Sequence, residues 1–241
     1  MTAEAKQTSA AARLDALRHA YGDLGSVELL QALIAKEFPG SIAVTSSFGA
    51  ESAVLLDLVA QVAPDTPILF LDTDALFDET IAYREKLVRR LGLTDIRIIR
   101  PRLKDVQATE DVWRTDPDRC CYLRKVVPLE RATAGFAALI DGRKGFHGGE
   151  RANLPTITLG ANGVFKVSPL VRWTEQEIEQ AFTERKLPRH PLVAQGYRSI
   201  GCWPCTRPTA PGESPRAGRW AGRGKSECGI HSNTFSEGSG I

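Results

Sequence analysis

Short apolar runs of strand character alternate along this chain with segments whose apolar residues recur at helical spacing, and this alternation restricts the fold more than any other feature. Residues 41–47, "SIAVTSS", read as a strand, and "ESAVLLDLVAQVA" after it has helical period. "PILFLDTD" is a second apolar run, followed by the helical "DETIAYREKLVRRLG", where Gly92 supplies a C-terminal stop. "DIRIIRP" alternates like a third strand, and "FAALIDG" supplies a fourth. "TEQEIEQAFTERK" opens with Thr174 and Glu177 at capping-box spacing, which predicts a helix. Strands alternating with helices imply an α/β fold with a mostly parallel sheet flanked by helices.

The 241 residues suit a single domain spanning 1–241, and 42% hydrophobic content builds a core without help from disulfides or metal. After Ile200 the composition turns to Gly, Pro, Ser and Arg, so residues 206–241 are expected to form a mobile or ligand-ordered C-terminal tail. With 31 Lys and Arg against 29 Asp and Glu, the bulk charge argues against a nucleic-acid binder, while leaving room for a local basic patch that holds one anion. The longest apolar stretch is too short for a bilayer and is interrupted by Asp57, and the first twenty residues lack a signal-like apolar core. No membrane association and a cytoplasmic location are therefore expected, where thiols stay reduced.

In that setting the five cysteines read as metal ligands or reactive thiols rather than as disulfides. Cys120 and Cys121 are adjacent, and Cys202 and Cys205 form a Cys-x-x-Cys pair. Neighbouring side chains reach one tetrahedral ion awkwardly, whereas a cubane offers corners on different irons. The spacing therefore favours a [4Fe–4S] cluster over a structural zinc, with a redox dithiol at Cys202 and Cys205 as a third option. Cys228 stands apart. Between Thr206 and Cys228 lie five cationic residues against Glu213 and Glu227, a setting that favours the nucleophilic thiolate and also gathers anions. His231 follows three residues later and could polarise that thiol or hold an anion.

"TSSFGAES" joins the first strand to its helix. Ser46, Ser47 and Ser52 offer hydroxyls, Gly49 permits a tight turn, and the helix N-terminus adds a positive dipole, so the loop suits phosphate or sulfate as well as simple N-capping. It is neither a Walker loop nor GxGxxG. Asp72 falls at the carboxyl end of the second strand, where open α/β sheets bind ligands.

Taken together, these segments resemble the assimilatory adenylyl-sulfate (APS) and phosphoadenylyl-sulfate (PAPS) reductases. "SSFGAES" is similar to that family's modified pyrophosphate-binding loop, "LDTDALFDET" to its Leu-Asp-Thr segment and "ERANLPTI" to its Arg-Ala-x-Leu-Pro segment. "RAGRW" and "KSECGIH" resemble its basic tail and its Glu-Cys-Gly-aliphatic-His signature. The resemblance implies an adenine nucleotide α-hydrolase-like, Rossmann-like fold. It implies that Cys228 attacks the sulfur of APS, that AMP leaves, and that a thioredoxin-type dithiol releases sulfite from an S-sulfocysteine. It assigns substrate contacts to Ser46, Ser47, Phe48, Gly49, Ser52, Asp72, Lys144, Arg151, Arg216, Arg219 and His231. It assigns a [4Fe–4S] cluster to Cys120, Cys121, Cys202 and Cys205, the feature of APS-using members, and it implies a homo-oligomer. PAPS reduction, or use of both substrates, is the near alternative. ATP-cleaving members of the fold and RNA-thiolating enzymes fit less well, because Phe48 stands where a second glycine is usual. A metal-binding redox sensor with an idle Cys228 is the non-enzymatic reading.

Overall fold

The computed structural model describes residues 3–225 and 227–230 of the chain. Six strands form one sheet in the order β3-β2-β1-β4-β6-β5. They are β1 (Ile42–Ser46), β2 (Ile68–Leu71), β3 (Ile96–Ile99), β4 (Ala138–Ile140), β5 (Ile157–Leu159) and β6 (Phe165–Val167). All neighbours pair in parallel except β5, which runs antiparallel to β6 with Ile157 opposite Val167.

The helices are α1 (Ala3–Tyr21), α2 (Ser26–Ala32), α3 (Ser52–Val62), α4 (Asp78–Leu91), α5 (Leu103–Gln107), α6 (Val112–Thr115), α7 (Pro117–Cys121), α8 (Val127–Thr133) and α9 (Glu175–Glu184). One π-type turn extends α2 over Leu33–Glu37, and another, over Tyr122–Val126, joins α7 to α8.

The two faces of the sheet follow from the period-2 alternation of the strands. Ile42, Val44, Ile68, Phe70 and Ile140 face the larger core with α2, α3 and α4, while Ala43, Leu69 and Leu139 face the smaller one with Leu129 of α8. Each fully buried leucine, isoleucine or phenylalanine contributes about 1.5–3 kcal/mol, so the larger core dominates stability. The four strands expected from sequence are all present. The β5–β6 hairpin was not foreseen, because three-residue strands are too short to show a pattern.

Two local signals act as read. Gly92 caps α4 in the left-handed region at φ 66°, its N–H donating to the Val88 carbonyl. Thr174 and Glu177 form a reciprocal capping box at the start of α9, and the bonds from the Thr174 N–H and hydroxyl hold the Glu177 carboxyl below its usual range.

The topology fixes the position of the site. The chain builds outward from β1 to β2 and β3, then returns through α5–α8 to place β4 on the other side of β1. The crevice between the carboxyl ends of β1 and β4 is the topological switch point, where such sheets bind ligands. Replacing Thr174 with Ala removes one half of the α9 box. It is expected to cost about 1 kcal/mol and to lower the melting temperature by about 2–4 °C in calorimetry.

Candidate functional site

A cleft of about 210 Å³ opens at this switch point. Its phosphate-loop side is Ser46, Ser47, Gly49 and Ser52, so the expected loop lines it. Gly49 sits in a tight spot, since a Cβ there would lie 3.3 Å from the Ile200 carbonyl oxygen and 3.4 Å from Ser47 Oγ, so a larger residue would have to push its neighbours by a few tenths of an ångström. Phe48 plays a different part from its neighbours. Its ring is fully buried and packs edge-on against Phe70 at 5.4 Å, so the side chain anchors the loop to the core instead of facing the cleft. Its left-handed backbone, at φ 47°, is braced by its own N–H donating to Ser46 Oγ at 3.2 Å.

Glu51, just before α3, was not singled out in the sequence. Its carboxylate meets Lys144 Nζ at 2.8 Å and lies 3.2 Å from His147 Nε2. Burial pushes its pKa up, but the bond from His147 and the charge of Lys144 win and hold it at about 2. Lys144 therefore enters the cleft wall already paired. Asp141, just after β4, also lines the cleft; it accepts from Ser168 Oγ at 2.8 Å and pairs with Arg143 at 2.9 Å. Asp72 does not line the cleft, although Leu71 and Thr73 on either side of it do. Successive residues of an extended segment point opposite ways, and Asp72 instead pairs with Arg100 at 3.0 Å.

The roof is made by the Gly-rich tail, whose described part is well packed. Arg207 N–H bonds the Gly218 carbonyl at 2.9 Å, Trp220 N–H bonds the Cys205 carbonyl at 3.0 Å, and the Trp220 side chain is almost fully buried. Arg219 lies directly over Gly201, where a Cβ would stand 2.3 Å from Nη2 and 2.4 Å from Cζ. Its guanidinium is 4.4 Å from the Trp220 ring centre, and Nε is buried with no hydrogen-bond partner among the described residues. An arginine held in this way is suited to an anion. Arg151 and Arg216 also line the cleft, and both bind Glu227. Cys228 follows Glu227 and lines the same cleft, half-buried, so the structure brings the fifth thiol to the phosphate loop and the arginines. His231 lies outside the described residues.

The other four cysteines line a second, adjoining cavity of about 380 Å³. Cys120 and Cys121 end α7, which Asp116 caps by accepting from the Arg119 N–H at 2.9 Å. Cys202 caps and Cys205 ends a 3₁₀ turn fastened to the β2–α4 connection by Trp203 N–H donating to the Ala75 carbonyl at 2.9 Å. Burial raises the pKa of Cys121 to about 11, and burial followed by the neighbouring Cys202 raises Cys120 and Cys205. Cys202 is the exception. Burial opposes its thiolate, but Lys125 and a contact with Thr73 Oγ1 at 3.2 Å overcome that and lower its pKa.

Among the described residues no three Cys, His, Asp or Glu side chains converge on one metal-ion position. Four thiols around one roomy cavity fit a polynuclear group better than a single ion.

Lys125 belongs to both cavities, and sequence reading passed it over. Burial lowers its pKa, but the charge of nearby sulfurs, Cys202 first, outweighs the loss of solvation and raises it. The only sequence signal is a lysine four residues after Cys121 on a helical path, one turn along the same face.

A doubly wound sheet with cations, a phosphate loop and a lone thiol converging on its switch point defines an α/β protein built around an anionic ligand. The family model described as "Phosphoadenosine phosphosulfate reductase domain" matches residues 41–208, and the chain belongs to that family. It is 44% identical to the adenosine 5'-phosphosulfate reductase of Mesorhizobium japonicum, over 92% of this chain and 87% of that protein. Identity to the protein of the same name from Chelativorans sp. is 42%, over 88% and 87%. Among solved structures, the PAPS reductase of Candida auris, in a phosphate complex, matches with a TM-score of 0.69 and 26% identity over 80% of this chain and 96% of that one. The FMN adenylyltransferase of Candida glabrata shares the fold, with a TM-score of 0.55 at 17% identity over 86% and 79% of the respective chains.

Because only the end of a flexible side chain blocks a Cβ at residue 201, Gly201→Ala is expected to fold normally and displace Arg219. Calorimetry should show a melting temperature within about 2 °C of the parent and inorganic sulfate bound about tenfold more weakly. A lower melting temperature with unchanged sulfate binding would show that the backbone yields instead.

Proposed function

We propose that this protein reduces adenosine 5'-phosphosulfate to sulfite and AMP, with Cys228 as the nucleophile. The observation that carries the reading is the presence of Cys228 in one cleft with the phosphate loop, Arg216 and Arg219. Family membership and relatives named adenosine 5'-phosphosulfate reductase, at 44% and 42% identity, support it.

The chemistry proceeds in two displacements. The Cys228 thiolate attacks the sulfonate sulfur, an S–S bond forms, and the bond from sulfur to the bridging phosphate oxygen breaks. AMP departs with the electron pair. An incoming dithiol then attacks Cys228 Sγ and expels sulfite with the electrons of the S–S bond; its second thiol resolves the mixed disulfide and frees Cys228. Two electrons pass from the dithiol to sulfur, and a thioredoxin-type protein is the reductant proposed.

An anionic thiolate approaching an anionic sulfonate needs local positive charge. Arg219, stacked on Trp220 with Nε unsatisfied among the described residues, is the cation best placed to supply it. Lys125 adds a buried charge on the side shared with the second cavity. The backbone of the Ser46–Gly49 loop and the N-terminus of α3 receive the α-phosphate. Leu55, Leu69 and Leu71 supply apolar wall for the nucleoside. Cys120, Cys121, Cys202 and Cys205 would hold the [4Fe–4S] cluster; bound there, it supplies charge that tunes the electrostatics around Lys125 and the cleft. Presence of all four cysteines favours APS over PAPS, since the resemblance assigns the set to APS-using members. The tail moves between a seated position for sulfur transfer and an exposed one for the reductant. A cytoplasmic homo-oligomer completes the reading; among the described residues no helix is long and apolar enough to cross a membrane.

Intact mass after exposure to APS or to PAPS, with no reductant and on anaerobically purified protein, tests this. One SO₃ group is expected on the parent with APS, mapped to Cys228, and none on Cys228→Ser. Addition with PAPS as well would keep the mechanism and widen the substrate. No addition with either, from protein that still binds AMP, would remove Cys228 from the chemistry.

A further inference from the structure

We propose that Glu227 is the positioning residue for Cys228: its carboxylate, shared between Arg151 and Arg216, is the latch that seats the thiol in the cleft. The geometry is specific. Arg151 Nε donates to Glu227 Oε1 at 2.8 Å and Arg151 Nη2 to Oε2 at 2.9 Å, a bidentate pair, while Arg216 Nη2 lies 3.2 Å from Oε2. Their side chains are 13%, 18% and 24% exposed for Arg151, Arg216 and Glu227, so water screens the contact much less than it screens a surface ion pair.

Three separate pieces of chain meet at this carboxylate. Arg151 ends the short 3₁₀ turn after β4, Arg216 belongs to the roof, and Glu227 immediately precedes Cys228. A bond one residue from the thiol, made to the fixed body of the domain, confines the position of Cys228 more tightly than any contact further along a Gly-rich segment.

The latch also answers an electrostatic need. Burial and the neighbouring Arg151 bring the pKa of Arg216 down to about 10, although the Glu227 carboxylate opposes that shift. Two half-buried guanidinium groups with no anion between them would repel, and Glu227 supplies the anion from the segment that has to be held. Opening the latch exposes three charges to water, which hydrates them well, so the seated and released forms are closer in energy than an apolar contact of equal area would make them. A sulfonate or phosphate entering beside the arginines competes for the same donors, which links occupancy of the cleft to tail position.

The catalytic consequence rests on Cys228 being the nucleophile; the seating does not. Limited trypsin cleavage after Arg223 and Lys225, followed by mass spectrometry on the full chain purified with its metal content intact, reads tail release without turnover. Glu227→Gln is expected to be cut at these sites about tenfold faster, at an unchanged melting temperature. Arg151→Gln should give a smaller increase, since Arg216 still holds Glu227, and the double variant should be cut no faster than Glu227→Gln, because that change already removes both bonds. Glu227→Asp should recover part of the protection. In single turnover Glu227→Gln should slow transfer of SO₃ to Cys228 while AMP affinity is kept. Cleavage of Glu227→Gln at the parental rate, or additive effects in the double variant, would overturn the latch. Faster cleavage in Glu227→Gln together with no sulfonation of the parent would uphold the latch and reject the reductase reading.

Discussion

Lys125 is a cation buried in the middle of the protein, and such a charge persists only where surrounding groups replace its water. Much of the site can be understood as that replacement. The sulfur of Cys202, whose thiolate the lysine favours in turn, stabilises the ammonium, and the face of Trp220 lies 5.9 Å from Nζ. Trp220 performs the same service for Arg219 at 4.4 Å and Lys225 at 5.7 Å, so one indole is shared by three cations. The ring could not sit there without the roof that carries it. A segment whose composition looks unfit for a core is therefore held largely by cation–π contacts, ion pairs and backbone bonds, with Ile230 packing against the smaller core. Its glycines belong to the same design, because Gly201 lets a guanidinium rest on the backbone and Gly218 lets the chain pass the Arg207 carbonyl, 2.2 Å from where a Cβ would be.

The two cavities also cease to be separate features. Lys125 and Cys202 line both, and Cys202 has its thiolate favoured by the charge that faces the cleft. Whatever the four thiols hold is felt across a single lysine. A change of charge on one side of Lys125 alters its attraction for an anion on the other, which is electrostatic coupling through a fixed group and requires no motion. The loop side is tuned in the opposite sense. Glu51, ionised at pH values well above 2, neutralises Lys144, so that lysine adds little net charge to the cleft.

Local chemistry was legible in the sequence, and three-dimensional neighbourhood was not. Apolar runs of four or five residues revealed β1, β2 and β3, Gly92 marked the end of α4, and Thr174 with Glu177 marked the start of α9, because each is decided within one turn of chain. The pairing of Cys120 and Cys121 with Cys202 and Cys205 was legible from chemical type alone. By contrast, Phe48 reads as part of the loop that carries it, and only its packing on Phe70 shows it to be core. Asp72 lies at a favourable strand end, yet its partner Arg100 comes from the next strand's exit. Glu51 and His147 gain meaning from each other and from Lys144, about 95 positions from Glu51, and Lys125 mostly from Cys202, Cys228 and Trp220, about 75 to 100 positions away, beyond the reach of any pattern of spacing.

Burial of charge also shows how an arginine-rich tail would suit the proposed chemistry, in which the thiol serves two partners in turn. An apolar tail would bury itself firmly and leave slowly, and its released form would expose a sticky surface. A tail held by guanidinium–carboxylate bonds exchanges them for water at modest net cost, since the desolvation that strengthens each bond is recovered on release. The orientation of such bonds is nevertheless sharp, because a bidentate arginine fixes direction as well as distance. On the proposed reading, residues 219–225, 227 and 228 combine precise seating with easy departure, through the same charge type that an anionic ligand in the cleft would require. On that reading, retention of the tail and recognition of the ligand would draw on one set of cations, so that the energetics of one could not change without changing the other.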